Sequence, residues 1–170
     1  GSQIIKERLK PENIYDYVRY RRNYIMRSLE CSEDDLDDLK VLIRFQTETA
    51  LKYQKKVMEE FDSGAIVSNL GRRLYMFNCF MGREMDYYAF NRHLEEIFPD
   101  LIDQEIRRIQ SKRYSTRQQS SMPITGITGK VILSNVCEEA FYYLLAGEVL
   151  HIGRNTSFGC GRYRLLQIEL

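Results

Sequence analysis

At Lys112 this chain changes character, and the change limits what it can fold into. Before that point, apolar residues recur three and four apart over long stretches, the spacing of one helix face. After it, Met122 to Val136 is rich in β-branched residues with Gly126 and Gly129 among them, a strand-and-turn composition. Two strands are expected there, joined near Pro123 to Gly129, the second running from Lys130 to Val136. Glu138 to Leu150 returns to a helical pattern with Phe141, Leu144, Leu145 and Val149 inward, and Arg162 to Glu169 alternates as a final strand. With 170 residues, 44% of them hydrophobic, the chain can bury one respectable core. The expectation is one α+β domain, or one domain carrying an insertion.

The first two thirds read as follows. Gln3 to Arg8 is a short strand, and Pro11 opens a helix reaching about Leu29, with Ile14, Val18, Ile25 and Leu29 on one face. Arg19, Arg21, Arg22 and Arg27 lie on that helix, as a solvated polar face or as a phosphate-contacting one. Ser32 and Asp35 have the form of a capping box, so the acidic run Ser32 to Asp38 reads as a helix start rather than a metal site. Leu36, Leu39, Ile43, Ala50, Val57 and Phe61 then form a helical stripe ending at Gly64, which suggests a bundle helix or a dimer seam. Leu70 to Phe98 is helical with breaks at Gly71 and Gly82 and must end near Pro99. Asp100 to Gln110 reads as a further helix with Ile102, Ile106 and Ile109 inward.

Charge is segregated although the net value is only +1. Lys112 to Lys130 carries four basic residues and no acidic one, and His151 to Arg164 adds three arginines, so a local basic surface is expected. The four cysteines, Cys31, Cys79, Cys137 and Cys160, form no CxxC pair, and with only His93 and His151 no zinc spacing exists. Neither a metal nor a cofactor is expected. Scattered cysteines, no membrane-length apolar run and no signal peptide fit a cytoplasmic protein with no membrane association. Gly1-Ser2 reads as a cloning remnant, so the chain is expected to be a piece of something longer.

The most informative segment runs from His151 to Gly161. Three glycines between Gly153 and Gly161 let a backbone approach a ligand closely and turn its amides outward, which suits phosphate. Arg154 adds charge, Asn155, Thr156 and Ser157 add short donors, and Phe158 either stacks on a base or anchors the loop. Gly159 and Gly161 precede a strand, so neither a Walker loop nor a dinucleotide fingerprint fits, since both open helices. A tight turn explains the glycines equally well.

Three pieces occur in order: Arg113-Tyr114-Ser115-Thr116-Arg117-Gln118, Ile124-Thr125-Gly126-Ile127-Thr128-Gly129-Lys130-Val131, and Leu150 through the loop to Tyr163. Over about sixty residues this resembles the C-terminal domain of the CRISPR-associated endoribonucleases that cut precursor crRNA, members of the RAMP superfamily with ferredoxin-like, RRM-type folds. The resemblance implies a βαββαβ domain from residues 3–31 and 111–170, with residues 32–110 as a large helical insertion between the first helix and the central hairpin. It implies RNA, a CRISPR repeat or crRNA, as partner, and metal-free cleavage leaving a 2′,3′-cyclic phosphate. Arg113, Arg117, Lys130 and Arg154 are the implied phosphate contacts, and Tyr114 and Phe158 the stacking residues. His151 is the candidate general base, Tyr114, Ser115 and Lys130 being weaker alternatives, while the family's base often comes from an N-terminal half not seen here. A second reading is a catalytically inactive RAMP-like domain whose helical insertion binds protein, such as another CRISPR-associated protein or a second copy through the long helix. A third is an α+β domain unrelated to RNA. His93, within the helical block, reads as a surface residue.

Overall fold

The computed structural model describes residues 13–29, 39–53, 56–57, 61–115 and 119–169. Helix α1 spans Ile14–Leu29 and strand β1 Leu39–Thr49, followed by two-residue strands β2 (Lys52–Tyr53) and β3 (Lys56–Val57). Helices α2 (Ser63–Phe80) and α3 (Tyr87–Glu96) come next, then strands β4 (Asp100–Ser115) and β5 (Ser120–Val136). Helix α4 (Glu138–Leu150) and strand β6 (Tyr163–Glu169) complete the chain. The main sheet has the order β4-β5-β1-β6, antiparallel at every pairing. Taken as β1, α2 with α3, β4, β5, α4, β6, this is the expected α+β, ferredoxin-like arrangement.

The expected fold is present, but two of its strands come from a segment expected to be helical. Leu39, Val41, Ile43 and Phe45 are all buried, at most 2% exposed, while Lys40, Arg44 and Gln46 are exposed. That is the period of two that a strand with one covered face requires. Burying such side chains contributes roughly 1.5–3 kcal/mol each, which outweighs the coincidental helical spacing of Leu39 with Ile43. Residues 100–110 are likewise strand, not helix: β4 pairs with β5 from Asp100↔Ser134 to Ser115↔Ser120. The spacing of Ile102, Ile106 and Ile109 suggested a helix, yet Ile102 is 51% exposed and a register shift lies between Leu101 and Asp103. A long-range pairing set the conformation. Strands β1 and β4 therefore belong to the ferredoxin-like sheet, and residues 32–110 do not form a purely helical insertion. The long helix on which a homodimer was expected is replaced by β1.

Smaller corrections follow from packing. Gly64 does not stop a helix. It lies in the first turn of α2, where Asp62 accepts a hydrogen bond from the Ala65 amide (3.2 Å), and an added Cβ would sit 2.6 Å from the Phe98 ring. Gly71 is no break either, since an added Cβ would sit 2.3 Å from Leu94, so it lets α3 pack closely on α2. Gly82, with φ +76°, does follow the end of α2. The expected joint at Pro123 to Gly129 is continuous strand within β5. Helices α1 and α4 and the strand ending at Glu169 lie where expected, whereas the strand at Gln3 to Arg8 and the Ser32 capping box lie outside the described residues.

Helices cover one sheet face. Tyr163, wholly buried, donates to the Leu144 carbonyl and ties β6 to α4. Strand β6 is an edge, and α1 guards it. The buried Glu148 carboxylate of α4 accepts from the Leu165 amide (2.8 Å), Tyr17 hydroxyl (2.8 Å), Arg21 Nε (3.1 Å) and Arg164 (3.2 Å), while Arg21 donates to the Leu165 carbonyl. These bonds satisfy the amide and the carbonyl of Leu165 on that edge, groups that would otherwise be open to pairing. No described helix is long and apolar enough to cross a membrane.

Candidate functional site

Two segments meet at the C-terminal end of β1. The glycine loop follows α4 and docks there: the Arg154 amide donates to Ala50 (3.0 Å) and the Gly161 amide to Glu48 (2.9 Å). The Ile152 amide donates to Gly161 (2.9 Å), and the Phe158, Gly159 and Cys160 amides close a turn on Asn155 and Thr156. Six loop amides are therefore already bonded within the protein. Gly153 and Gly161 have φ +76°, and an added Cβ would lie 2.4 Å from the Ala50 oxygen and 1.8 Å from the Ile152 oxygen respectively. These glycines let the loop pack on backbone. They do not open a cradle to a ligand, and Gly159, with nothing within 4 Å, is the one beside open space.

A side chain from α2 clamps the loop. Arg73 donates to the carbonyls of Leu150 (3.3 Å) and Gly153 (3.1 Å) and to the Thr156 hydroxyl (3.2 Å). His151 caps α4 with φ 59°, a conformation that costs a non-glycine residue strain. Burial first, and then the charges of Arg162 and Arg73, hold its imidazole below the ordinary range, against a smaller opposing effect of a hydrogen bond with the Cys160 backbone. These effects favour the neutral ring.

The second segment is the β4–β5 hairpin. Beyond Thr49↔Ile127, strand β1 no longer pairs with β5, so Ser120 to Gly126 pair only with β4 and the hairpin continues as a two-stranded ribbon. The ribbon leaves the sheet at the place where the loop docks, since a Cβ on Gly126 would lie 2.8 Å from the Thr49 amide. Between Glu105 and Glu138 the chain has no acidic residue. Arg107, Arg108 and Lys112 are exposed along β4, and Tyr114 is 62% exposed. On the uncovered sheet face beside it, Arg44, Arg107, Lys130 and Glu105 line a groove of about 440 Å³ with Thr128 and Gly129. Lys130 lies 3.8 Å from Glu105, an exposed pair with little hold on either charge.

The expected residues thus divide. His151, Gly153, Arg154, Asn155, Thr156, Ser157, Phe158, Gly159 and Gly161 form the docked loop, with Arg154, Ser157 and Phe158 exposed. Lys130 lies in the sheet groove and Tyr114 on the ribbon. Arg113 pairs through its backbone with Met122, and Arg117 lies outside the described residues. Reading the sequence missed Arg44, Arg72, Arg73, Arg107, Arg108 and Arg162. For Arg44 the signal was the alternation from Leu39 to Phe45, and for Arg107 and Arg108 the acid-free run that begins at Ile106.

Comparison with known proteins bears on the family and the fold. Residues 43–163 match the family model described as CRISPR-associated endoribonuclease Cas6. No match is found among curated protein sequences. A Cas6 product complex superposes with a TM-score of 0.52 and 22% identity, over 75% of this chain and 51% of that one. Thermus thermophilus Cas6 does so with a TM-score of 0.51 and 20% identity, over 75% and 53%. A partial Cas6-RT-Cas1–Cas2 complex gives a TM-score of 0.61 at 10% identity, over 90% of this chain and 26% of that one. The chain spans about half the length of the Cas6 structures it matches.

Proposed function

The chain belongs to the CRISPR-associated endoribonuclease Cas6 family, and from that premise we propose that it binds CRISPR repeat RNA across the β4–β5 ribbon, the adjoining sheet groove and the exposed rim of the glycine loop. The observation that carries the proposal is the meeting of two basic segments at one end of the sheet. Arg107, Arg108 and Lys112 on one side and Arg154 on the other face solvent there. Such an array suits a phosphate backbone, and Tyr114 and Phe158 suit unstacked bases. Arg113 and Arg117 extend the array by their sequence position.

The proposal extends to cleavage without metal. The ribose 2′-oxygen forms a bond to the adjacent phosphorus, the bond to the 5′-oxygen breaks, and a 2′,3′-cyclic phosphate and a 5′-hydroxyl result. A base takes the 2′-hydroxyl proton and an acid protonates the departing oxygen. His151 is the base proposed, because a neutral imidazole accepts a proton and its strained backbone is the kind that functional positions retain. As in the Cas6-RT-Cas1–Cas2 assembly, other CRISPR-associated proteins are proposed partners.

Incubation with end-labelled repeat RNA in EDTA tests both steps. Binding at low salt with a cyclic-phosphate product is the expected result, and His151→Ala is expected to retain binding while abolishing product. Cleavage that survives His151→Ala removes the histidine from the chemistry, and absence of binding removes the RNA reading itself.

A further inference from the structure

The glycine loop has a second side, facing α2. There a groove of about 370 Å³ is lined by Asn69, Arg72, Arg73, Met76 and Gly153. Arg73 is partly buried, and all three of its acceptors are uncharged: two carbonyls and a hydroxyl. Its neighbour Arg72 is exposed and forms no hydrogen bond or ion pair with the described residues. Neither guanidinium meets a described carboxylate. Glu48, the acidic group acting on the loop from β1, acts on the Cys160 thiol.

Two guanidinium groups that line one groove without a described counter-charge repel each other, and partial burial strengthens that repulsion. Burial and the charge of Arg72 together lower the pKa of Arg73. An anion between them relieves both effects, and arginine is well matched to phosphate, since its planar fork offers paired donors. The loop's own amides are largely committed to the fold, so an anion here must be held by side chains.

We propose that Arg72 and Arg73 form a phosphate site on the α2 side of the glycine loop, and that it takes a phosphodiester of the RNA strand after the strand has passed the ribbon. The proposal rests on the RNA reading above and adds a second wall to it. Arg73 both holds the loop and faces the groove, whereas Arg72 serves only the anion. Arg72 is therefore the residue to change.

His151 provides the readout, since its ring senses the charge on Arg73. The His151 imidazole of the full chain is titrated by NMR alone, with a repeat-RNA oligonucleotide, and with inorganic phosphate. RNA is expected to raise the His151 midpoint, because a bound anion offsets the neighbouring arginines. Arg72→Gln is expected to remove most of that rise and weaken RNA binding about tenfold. It should also reduce the slope of log affinity against log salt by about 0.7, the value for one phosphate contact on a single strand. RNA that binds equally well to Arg72→Gln, with the His151 midpoint unmoved, overturns the site and leaves the RNA reading standing. A midpoint raised by inorganic phosphate and not by RNA overturns RNA as the source. No RNA binding at low salt overturns the RNA reading, and this assignment with it.

Discussion

The glycine loop and the β4–β5 ribbon leave the sheet at the same end of β1, yet they use their polar groups in opposite ways. Two loop amides bond to carbonyls at the end of β1, four more close the loop on itself, and Arg73 bonds to the loop from outside. Along the ribbon, the backbone bonds only within its own pair of strands, while Lys112 is exposed on it and Arg107 and Arg108 are exposed at its base. The loop is therefore a packed joint, and the ribbon is an arm. An isolated two-stranded ribbon is marginally stable in water, so the arm can adapt to a ligand while the joint holds it in place. A glycine-rich stretch in a sequence signals close approach of backbone, and here Gly153 meets Ala50 just past β1 while Gly161 meets Ile152 of the loop itself.

Two alanine substitutions in the loop provide the strongest test of that contrast. Gly161→Ala adds a Cβ 1.8 Å from the Ile152 oxygen at φ +76°, with the backbone carbon and nitrogen of the same residue at 2.8 and 2.9 Å. It should cost about 3 kcal/mol or more, lowering Tm by on the order of 10 °C. Gly159→Ala adds its Cβ to open space at φ +84° and should cost only about 1 kcal/mol, the penalty for a left-handed residue. Thermal melts of the two variants decide the matter. Equal losses would mean that the backbone around Gly161 is no tighter than the open side of the loop at Gly159, and the loop would not be a packed joint.

The complementary test is on the arm. Replacing Arg107, Arg108 and Lys112 together by alanine should leave Tm within a few degrees, since these side chains are exposed. RNA affinity at low salt should fall on the order of a hundredfold, with a salt slope smaller by about 2. A variant that melts much earlier than the parent would show that the ribbon charges serve the fold. A variant that binds RNA unchanged would move the RNA elsewhere on the surface.

What the sequence revealed follows the same division. Local patterns were readable: Glu138–Leu150 is a helix at the limits its apolar spacing set, and the strand after the loop alternates as expected. The fold class came through the resemblance, but the assignment of strands did not, because β1 and β4 are defined by partners about ninety and about thirty residues away. Leu39↔Val136 and Asp100↔Ser134 are pairings that no local window contains. The alternation from Leu39 to Phe45 was present, and a longer stripe that mixed strand with helix start obscured it. The loop was rightly located, while its donors were assigned to a ligand because its docking partner, Glu48 to Ala50, lay in the segment misread as helix.

The smallest expected effect comes from pH, and two histidines pull in opposite directions. His93 bonds to Glu139 (2.8 Å), which raises its pKa, so its contribution is full below the ordinary imidazole value of 6.5 and is lost as pH rises through the raised value. Its ring is exposed, so screening limits that contribution to a few tenths of a kcal/mol. His151 is shifted the other way, by burial and by Arg162 and Arg73. Well above pH 6.5 its ring is neutral in both folded and unfolded chains, and nothing is lost. As pH falls through 6.5 and on through the depressed folded value, the unfolded chain takes up the proton first, and the fold is weakened. His151→Asn removes this titration and leaves the strain at φ 59°, ψ 167° as it was, since asparagine tolerates the left-handed helical region and not this one. It should therefore melt close to the parent at pH 8. An advantage should then open toward pH 5, while His93→Gln should show the reverse trend. A difference between His151→Asn and the parent that stays constant across that range would mean that the imidazole feels neither burial nor its two arginines, and that the joint is as open to water as the arm.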